Sequence, residues 1–310
     1  MTTTLREHAT QYLAMRRALG FKLTTFGGLL LSFVDYLEAR DMTVITTEAA
    51  LTWAMSTRRV AEEVTWSRRL MVVRNFARHL AVLEPTNEIP PTDILPYRHR
   101  RVCPHIYTTG EITSLLEAAD RLHPPLRALT FRNLISLLAV TGMRAGEACR
   151  LDLSDVDFDD GVLTIRDTKF GKHRQVPIHP TTTAALRHYL TAREALLPAP
   201  STPAFFVSTW GNRLVHNYLA HVFADLIEAA DVSVSPTERR PRLHDLRHSF
   251  ATTTLLGWYR DGVDVAARLP LLSTYLGHAD PGSTYWYLTG TPELLTLAAD
   301  RLDGAFGDQP

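Results

Sequence analysis

Cysteine is nearly absent from this chain: Cys103 and Cys149 are the only two in 310 residues. Two thiols cannot build a disulfide framework or a thiolate metal cage, so a reducing, intracellular setting is expected. Long apolar runs are missing as well. None approaches the roughly 18 residues that cross a bilayer, and the opening Met1-Thr-Thr-Thr-Leu-Arg-Glu-His has no apolar signal core, which leads to the expectation of a cytoplasmic protein without a membrane partner. Net charge is also lacking, with 33 basic against 33 acidic residues. A neutral total argues against a nucleic-acid binder unless the charge is segregated. The remaining composition, 45% hydrophobic and 21% charged without low-complexity or coiled-coil stretches, is that of an ordinary globular chain long enough for two cores.

Locally the charge is segregated. Arg58-Arg59, Arg68-Arg69, Arg74, Arg78, the Arg98 to Arg101 cluster, Arg239-Arg240 and Arg242 are basic, whereas Asp152 to Asp160 and the tail around Asp300, Asp303 and Asp308 are acidic. A basic groove on a neutral protein is one reading of this pattern; a mixed, solvated surface is the other.

From Leu5 to Leu83 the periodicity is helical. Leu5, Tyr12 and Leu19 form a stripe that ends at Gly20, Phe26 to Leu37 is strongly apolar, Thr46-Thr47-Glu48 caps a third segment, and Trp66, Leu70, Val73, Ala77 and Leu80 mark a fourth. Four such helices make a small bundle, with Trp53 and Trp66 read as core and Arg68, Arg74 and Arg78 on other faces. Pro85, Pro90, Pro91, Pro96 and Pro104, with Arg98, Arg100 and Arg101 among them, then break the helical pattern. The expected organisation is a helical bundle over 1–95, a basic Pro-rich linker over 96–105 that could follow a phosphate backbone, and a second domain over 106–310.

In the second domain, Thr108 to Glu111 has capping-box spacing and opens a helix with Ile112, Leu115, Leu116 and Ala119 inward. Leu126 to Val140 predicts a long buried helix that exits at Gly142, with Arg144 opening the next helix and Glu147 one turn on to orient it. Short β-prone runs follow at Val156–Phe158, Val162–Ile165 and Gln175–Ile178, joined by an Asp-Asp-Gly161 turn and a turn carrying Lys169 and Lys172. Helices over Thr181–Leu196 and Val215–Ala230 flank a Phe205-Phe206-Val207 run, and Pro292 to Leu302 predicts a terminal amphipathic helix that packs at home or docks in a neighbouring subunit. The fold class is therefore mainly α with a small antiparallel β-sheet.

The stretch from Arg242 to Tyr287 carries chemistry. Splitting a phosphodiester without water takes a side-chain nucleophile, cations on the non-bridging oxygens and a proton donor for the departing oxygen. His244 and Arg247 are three residues apart and share a helical face; Tyr287 supplies an oxygen nucleophile. A lone His-x-x-Arg is ordinarily a solvated helix face, and a hairpin lysine is ordinarily solvated too. Arg144 and Lys169 upstream supply the missing cations.

With Arg144, Lys169, His244, Arg247, His278 and Tyr287 in this order, the second domain resembles the tyrosine recombinase, or phage integrase, family. Thr141-Gly-Met-Arg144-Ala-Gly-Glu147 is similar to its first arginine motif, Thr168 to Pro177 to its hairpin lysine motif, and His244-Asp-Leu-Arg247-His248 to its His-x-x-Arg box. Leu276-Gly277-His278 followed by Tyr287 matches its final spacing, and the upstream bundle looks like its core-binding domain. The resemblance implies a site-specific DNA recombinase and extends to the recombinases of mobile elements. By resemblance, Arg144 and Arg247 clamp the scissile phosphate, Lys169 protonates the departing 5′ oxygen, His244 helps deprotonate Tyr287, His278 bonds the phosphate, and Tyr287 forms a 3′-phosphotyrosyl link. The implied partners are double-stranded DNA, further copies of the chain in a tetrameric synapse and accessory recombinases. No cofactor and no metal are expected, because the tyrosyl link conserves the bond.

Choices remain within this reading. Tyr285 competes with Tyr287 and Lys172 with Lys169. Arg68, Arg74, Arg78, Arg98, Arg100, Arg101, Lys172, Arg174 and Arg242 are candidate DNA contacts. A nicking and resealing enzyme like a type IB topoisomerase, a non-catalytic DNA-binding protein on the same scaffold, and a metal held by His244, His248 and His278 are the alternatives.

Overall fold

The computed structural model describes residues 3–56, 62–95, 103–166, 173–232 and 240–278, with 280, 282–289, 293, 294, 296 and 299. Lys169, Lys172, Arg58-Arg59, Arg98, Arg100, Arg101 and most of the expected terminal helix lie outside them. The chain divides into two compact units, Met1–Arg101 and Val102–Pro310. The architecture is mainly helical with one small antiparallel sheet, as expected.

The first unit contains α1 (Leu5–Ala18), α2 (Thr24–Glu38), α3 (Thr47–Met55) and α4 (Glu62–Leu83). Thr4 and Glu7 close a reciprocal capping box that satisfies two of the orphan N–H groups at the start of α1. The inward stripe of α1 is Leu5, Ala9, Tyr12 and Leu13; Leu19 lies beyond the helix and is exposed. Leu30, Phe33, Leu37, Trp53, Leu70, Phe76 and Leu80 fill the core, each worth roughly 1.5–3 kcal/mol when fully withdrawn from water. Trp53 is a core residue, packed against Phe33 at 5.1 Å between ring centroids.

Two arginines of α4 turn inward. Arg69 lies over the Trp53 ring at 3.8 Å and donates to the Trp53 carbonyl. Arg74, expected on a DNA-facing surface, is buried and donates through Nε to the Pro90 carbonyl at 2.7 Å and through Nη2 to the Pro91 carbonyl. A buried guanidinium needs acceptors, and these two carbonyls supply them; Arg68 and Arg78 remain exposed.

The second unit starts with the Thr108/Glu111 capping box at the head of α5 (Thr109–Asp120). Next come α6 (Pro125–Thr141) and α7 (Ala145–Arg150), then β1 (Val156–Asp157), β2 (Val162–Ile165) and β3 (Arg174–Pro177). The sheet order is β1-β2-β3, both pairs antiparallel, with Ile165 opposite Arg174 at the turn end of the second hairpin. Leu163, Ile165 and Val176 face the core. The Phe205 to Val207 run forms no strand: Ala204 and Val207 make isolated bridges, and both phenylalanines pack under Tyr189. The remaining helices are α8 (Pro180–Leu196), α9 (His216–Ala229), α10 (Asp245–Arg260), α11 (Val265–Leu276) and the short α12 (Gly282–Tyr285).

Gly142 decides how α6 leaves the core. Its φ of +59° is left-handed, and a Cβ there would stand 2.4 Å from the Phe250 ring. Gly142→Ala is expected to cost at least about 2 kcal/mol, about half from the left-handed backbone and the rest from displacing Phe250. Denaturant unfolding of the two proteins measures this; an unchanged midpoint would show that the ring moves freely.

Candidate active site

Four helix ends meet at one place in the second unit. Gly142 caps α6, Arg144 precedes α7, His244 precedes α10, and Gly277 caps α11 with a φ of +69°. Helix ends leave backbone N–H and C=O groups without intrahelical partners, and here those carbonyls hold side chains.

Arg247 lies in the first turn of α10 and is 2% exposed. Nη1 donates to the Gly142 carbonyl at 2.8 Å and Nη2 to the Leu276 carbonyl at 2.7 Å, which ties α10 to the ends of α6 and α11. Burial lowers its pKa to about 10, so the cation persists at neutral pH, and the nearby Tyr287 hydroxyl favours the charge. Arg144 is more open, with 39% of its side chain exposed. Its Nη1 donates to Glu147 Oε1 at 2.8 Å, its Nη2 to the Gly277 carbonyl at 3.0 Å, and its backbone N–H to Glu147 Oε2 at 2.9 Å.

Glu147 is buried between two arginines. Besides Arg144 it accepts Arg174 Nη1 on Oε1 at 3.0 Å and Arg174 Nη2 on Oε2 at 2.7 Å. Burial alone would raise this carboxyl; the hydrogen bonds and charge of Arg174, with those of Arg144, outweigh it and hold the group at about 2. Arg174, expected among the DNA contacts, thus spends its guanidinium inside the protein. Arg242 keeps 42% of its side chain exposed and pairs with the buried Asp245 at 3.2 Å.

The nucleophile candidates separate by environment. Tyr287 is 4% exposed and packs with Leu255, Val265, Leu272 and Leu276, whereas Tyr285 is 56% exposed. The His248 ring meets Tyr287 edge-on at 5.3 Å, and the His278 ring lies parallel to it at 6.0 Å. His244, an exposed residue, stands against His248 at 5.1 Å between ring centroids. Its pKa is depressed, first by packing around the ring and then by His248, Arg247, Arg242 and Arg144. His278 is half-buried and depressed to about 4, by desolvation first and then by Arg247, Arg144 and Arg174. Its Nδ1 is 2.6 Å from Thr284 Oγ1, which fixes the ring.

Arg144, His244, Arg247, His278 and Tyr287 are therefore brought together; Lys169 is outside the described residues. Sequence reasoning missed three neighbours. Thr284 carries no recognisable signal, Arg174 reads from the sequence as a DNA contact, and His248, four residues after His244, reads only as the end of the His-x-x-Arg box or as a metal ligand. Among the described residues no three His, Cys, Asp or Glu side chains are grouped to hold a metal ion. Nor is any of their helices long and apolar enough to cross a membrane.

Comparison with known proteins gives concordant results. The sequence profile described as the phage integrase family matches residues 106–293. A Sinorhizobium fredii protein, y4rB, whose name places it among integrase/recombinases, is 44% identical over 99% of both chains. The tyrosine recombinase XerD of Mycobacterium tuberculosis is 35% identical over 75% of this chain and 71% of its own. Among solved structures, the XerH recombinase in a post-cleavage complex with difH DNA superposes with a TM-score of 0.65 at 21% identity, over 89% of this chain and 78% of that one. The Tn1549 transposon integrase with transposon-end DNA gives 0.65 at 16% identity, over 95% and 99%. The structural likenesses concern the fold.

The buried carboxylate makes stability depend on pH. Glu147 titrates near 2 when folded and near 4.5 when unfolded, so the unfolded chain binds more protons between these values. Its contribution, on the order of 3 kcal/mol, is complete above about pH 4.5 and disappears as pH falls toward 2. Glu147→Gln should lower the unfolding midpoint at pH 7, and the gap from wild type should narrow below pH 4.5. A gap independent of pH would mean that the carboxylate is not ionised against its arginines.

Proposed function

The chain belongs to the phage integrase family of tyrosine recombinases, and from that premise we propose that it cuts and rejoins double-stranded DNA with Tyr287 as nucleophile. The observation that carries the reading is the gathering of Arg247, Arg144, His278 and His244 about the buried Tyr287. The protein is a site-specific recombinase, and the residue roles below are the proposal.

An arginine has five N–H groups in a rigid fork. Arg247 gives two of them to backbone carbonyls, which lock its plane and leave others for a phosphate. Arg144, fixed by Glu147 and Gly277, holds a second non-bridging oxygen from the more open side. Such donors, set before the reaction begins, favour the extra negative charge of the five-coordinate phosphorus. His278, clamped by Thr284, adds a hydrogen bond to the phosphate.

In this scheme the Tyr287 oxygen attacks phosphorus and its proton passes toward His244, which is neutral at pH 7 and so able to accept it. The bond to the 5′ oxygen breaks, and Lys169 returns a proton to that oxygen. A 5′-hydroxyl from a partner duplex then attacks the phosphotyrosine and frees the tyrosine. Each exchange breaks one phosphoester and forms one, so no energy source enters. Two duplexes have four strands to cut, and one tyrosine per strand implies four copies of the chain in the synapse.

The first unit, with Arg68 and Arg78 exposed on α4, is assigned the role of clasping the duplex, together with the linker arginines Arg98, Arg100 and Arg101 and with Lys172 and Arg242. A cytoplasmic location follows from a substrate that is cellular DNA.

The test is to mix the protein with fragmented DNA, stop the reaction with detergent and sequence what remains covalently attached. The trapped sequence, remade as a nicked duplex, should form an adduct with wild type. Tyr287→Phe should form none while binding within about threefold of wild type, and Tyr285→Phe should react normally; the reverse pattern would move the nucleophile to Tyr285. Relaxed circles without joined duplexes would point instead to nicking and resealing on one duplex. Despite zero net charge, affinity should fall by at least about 10³-fold between ~50 and ~200 mM salt, as for proteins that neutralise six or more phosphates. A flat response would remove the basic groove from the proposal.

A further inference from the structure

We propose that Arg174 is a positioning residue for cleavage, holding Arg144, the turn before His278 and the turn end of the β2–β3 ladder in one register. The inference rests on the reading of the site given above. Arg174 opens β3 opposite Ile165, so its backbone belongs to the turn end of the β2–β3 ladder. Its side chain, only 10% exposed, leaves the hairpin and joins two other segments. Nη1 and Nη2 take both oxygens of Glu147, and Nε donates to the Tyr275 carbonyl at 3.0 Å.

Each Glu147 oxygen serves both arginines. Oε1 receives Arg144 Nη1 and Arg174 Nη1, while Oε2 receives the Arg144 backbone N–H and Arg174 Nη2. Without Arg174 the carboxylate is free to pair with Arg144 alone and to draw it from the phosphate. The other anchor of Arg144 fails with it. Gly277, whose carbonyl accepts Arg144 Nη2, lies against the Arg174 guanidinium so closely that a Cβ would stand 2.7 Å from Nη1. Removing the guanidinium takes the support from under this turn, and His278 is the next residue. One side chain therefore controls both ends of the Arg144 guanidinium. Lysine cannot replace it, because one ammonium on a flexible stem cannot span two carboxylate oxygens and a carbonyl.

Displacement of a reacting group by about 1 Å costs about 10²-fold in rate. Such a loss belongs to the chemical step, since Nε, Nη1 and Nη2 of Arg174 are all engaged inside the protein and its side chain is only 10% exposed. The experiment uses the full chain and the nicked duplex recovered by trapping. Arg174→Lys and Arg174→Met are compared with wild type in adduct formation at saturating DNA, normalised to the DNA-binding-competent fraction, and in affinity.

We expect the saturating rate to fall about 10²-fold in both variants, with affinity within about threefold, and no rescue by lysine. The double variant Glu147→Gln with Arg174→Lys should be no slower than the slower single variant, because both changes act through one carboxylate. A saturating rate within threefold of wild type would overturn the proposal by leaving Arg174 a plain structural ion pair. Weakened binding with an unchanged saturating rate would overturn it in favour of a DNA contact. An adduct persisting in Tyr287→Phe would overturn the site reading itself, and the proposal with it.

Discussion

A single carboxylate, Glu147, sits beneath two guanidiniums, and the geometry of the site depends on it. Removing three charges from water is costly unless every donor finds an acceptor. Here both oxygens are engaged twice, which repays part of that cost and fixes directions that surface ion pairs leave loose. The cluster of Arg144, Arg174 and Glu147 retains a surplus positive charge, and the buried Arg247 adds a second. A phosphodiester brings one negative charge, and its five-coordinate transition state spreads two over its oxygens. Under the proposed roles, the surplus matches the transition state better than the ground state, which is the condition for catalysis rather than mere binding.

The helix ends explain how a guanidinium as buried as Arg247 is tolerated. The carbonyls of Gly142 and Leu276 stand at the C-terminal ends of α6 and α11, where carbonyls lack intrahelical partners. Groups that would otherwise be unsatisfied become the acceptors of a buried arginine. The left-handed backbone at Gly142 and Gly277 turns the chain sharply enough for these carbonyls to converge. The same crowding buries Tyr287, and desolvation together with the neighbouring arginines lowers the pKa of His278 and His244.

Much of the fold is legible in the linear chain because its signals are local. Thr4/Glu7 and Thr108/Glu111 are capping boxes within one turn, the Asp-Asp-Gly161 turn joins adjacent strands, and Gly142 ends a helix through its own φ. The order of Arg144, His244, Arg247, His278 and Tyr287 is legible too, since motif spacing survives without knowledge of contacts. The arginines are the exception. A long apolar stem with a charged head suits either surface or interior, and its own neighbours in sequence do not distinguish them.

Arg68, Arg74 and Arg78 share one helix, yet only Arg74 meets the carbonyls of Pro90 and Pro91. Arg174 finds Glu147 27 residues away and Tyr275 101 residues away. Likewise, Tyr285 and Tyr287 are chemically identical, and only Tyr287 joins the buried cluster that holds Leu255, Leu272 and Leu276, while Tyr285 stays exposed. Residue types and spacing along the chain thus determined the helices, the hairpin and the kind of chemistry available. Which charges turn inward, and which tyrosine lies among the histidines, was decided by tertiary contact, because desolvation and ion pairing depend on distance in space and not along the chain.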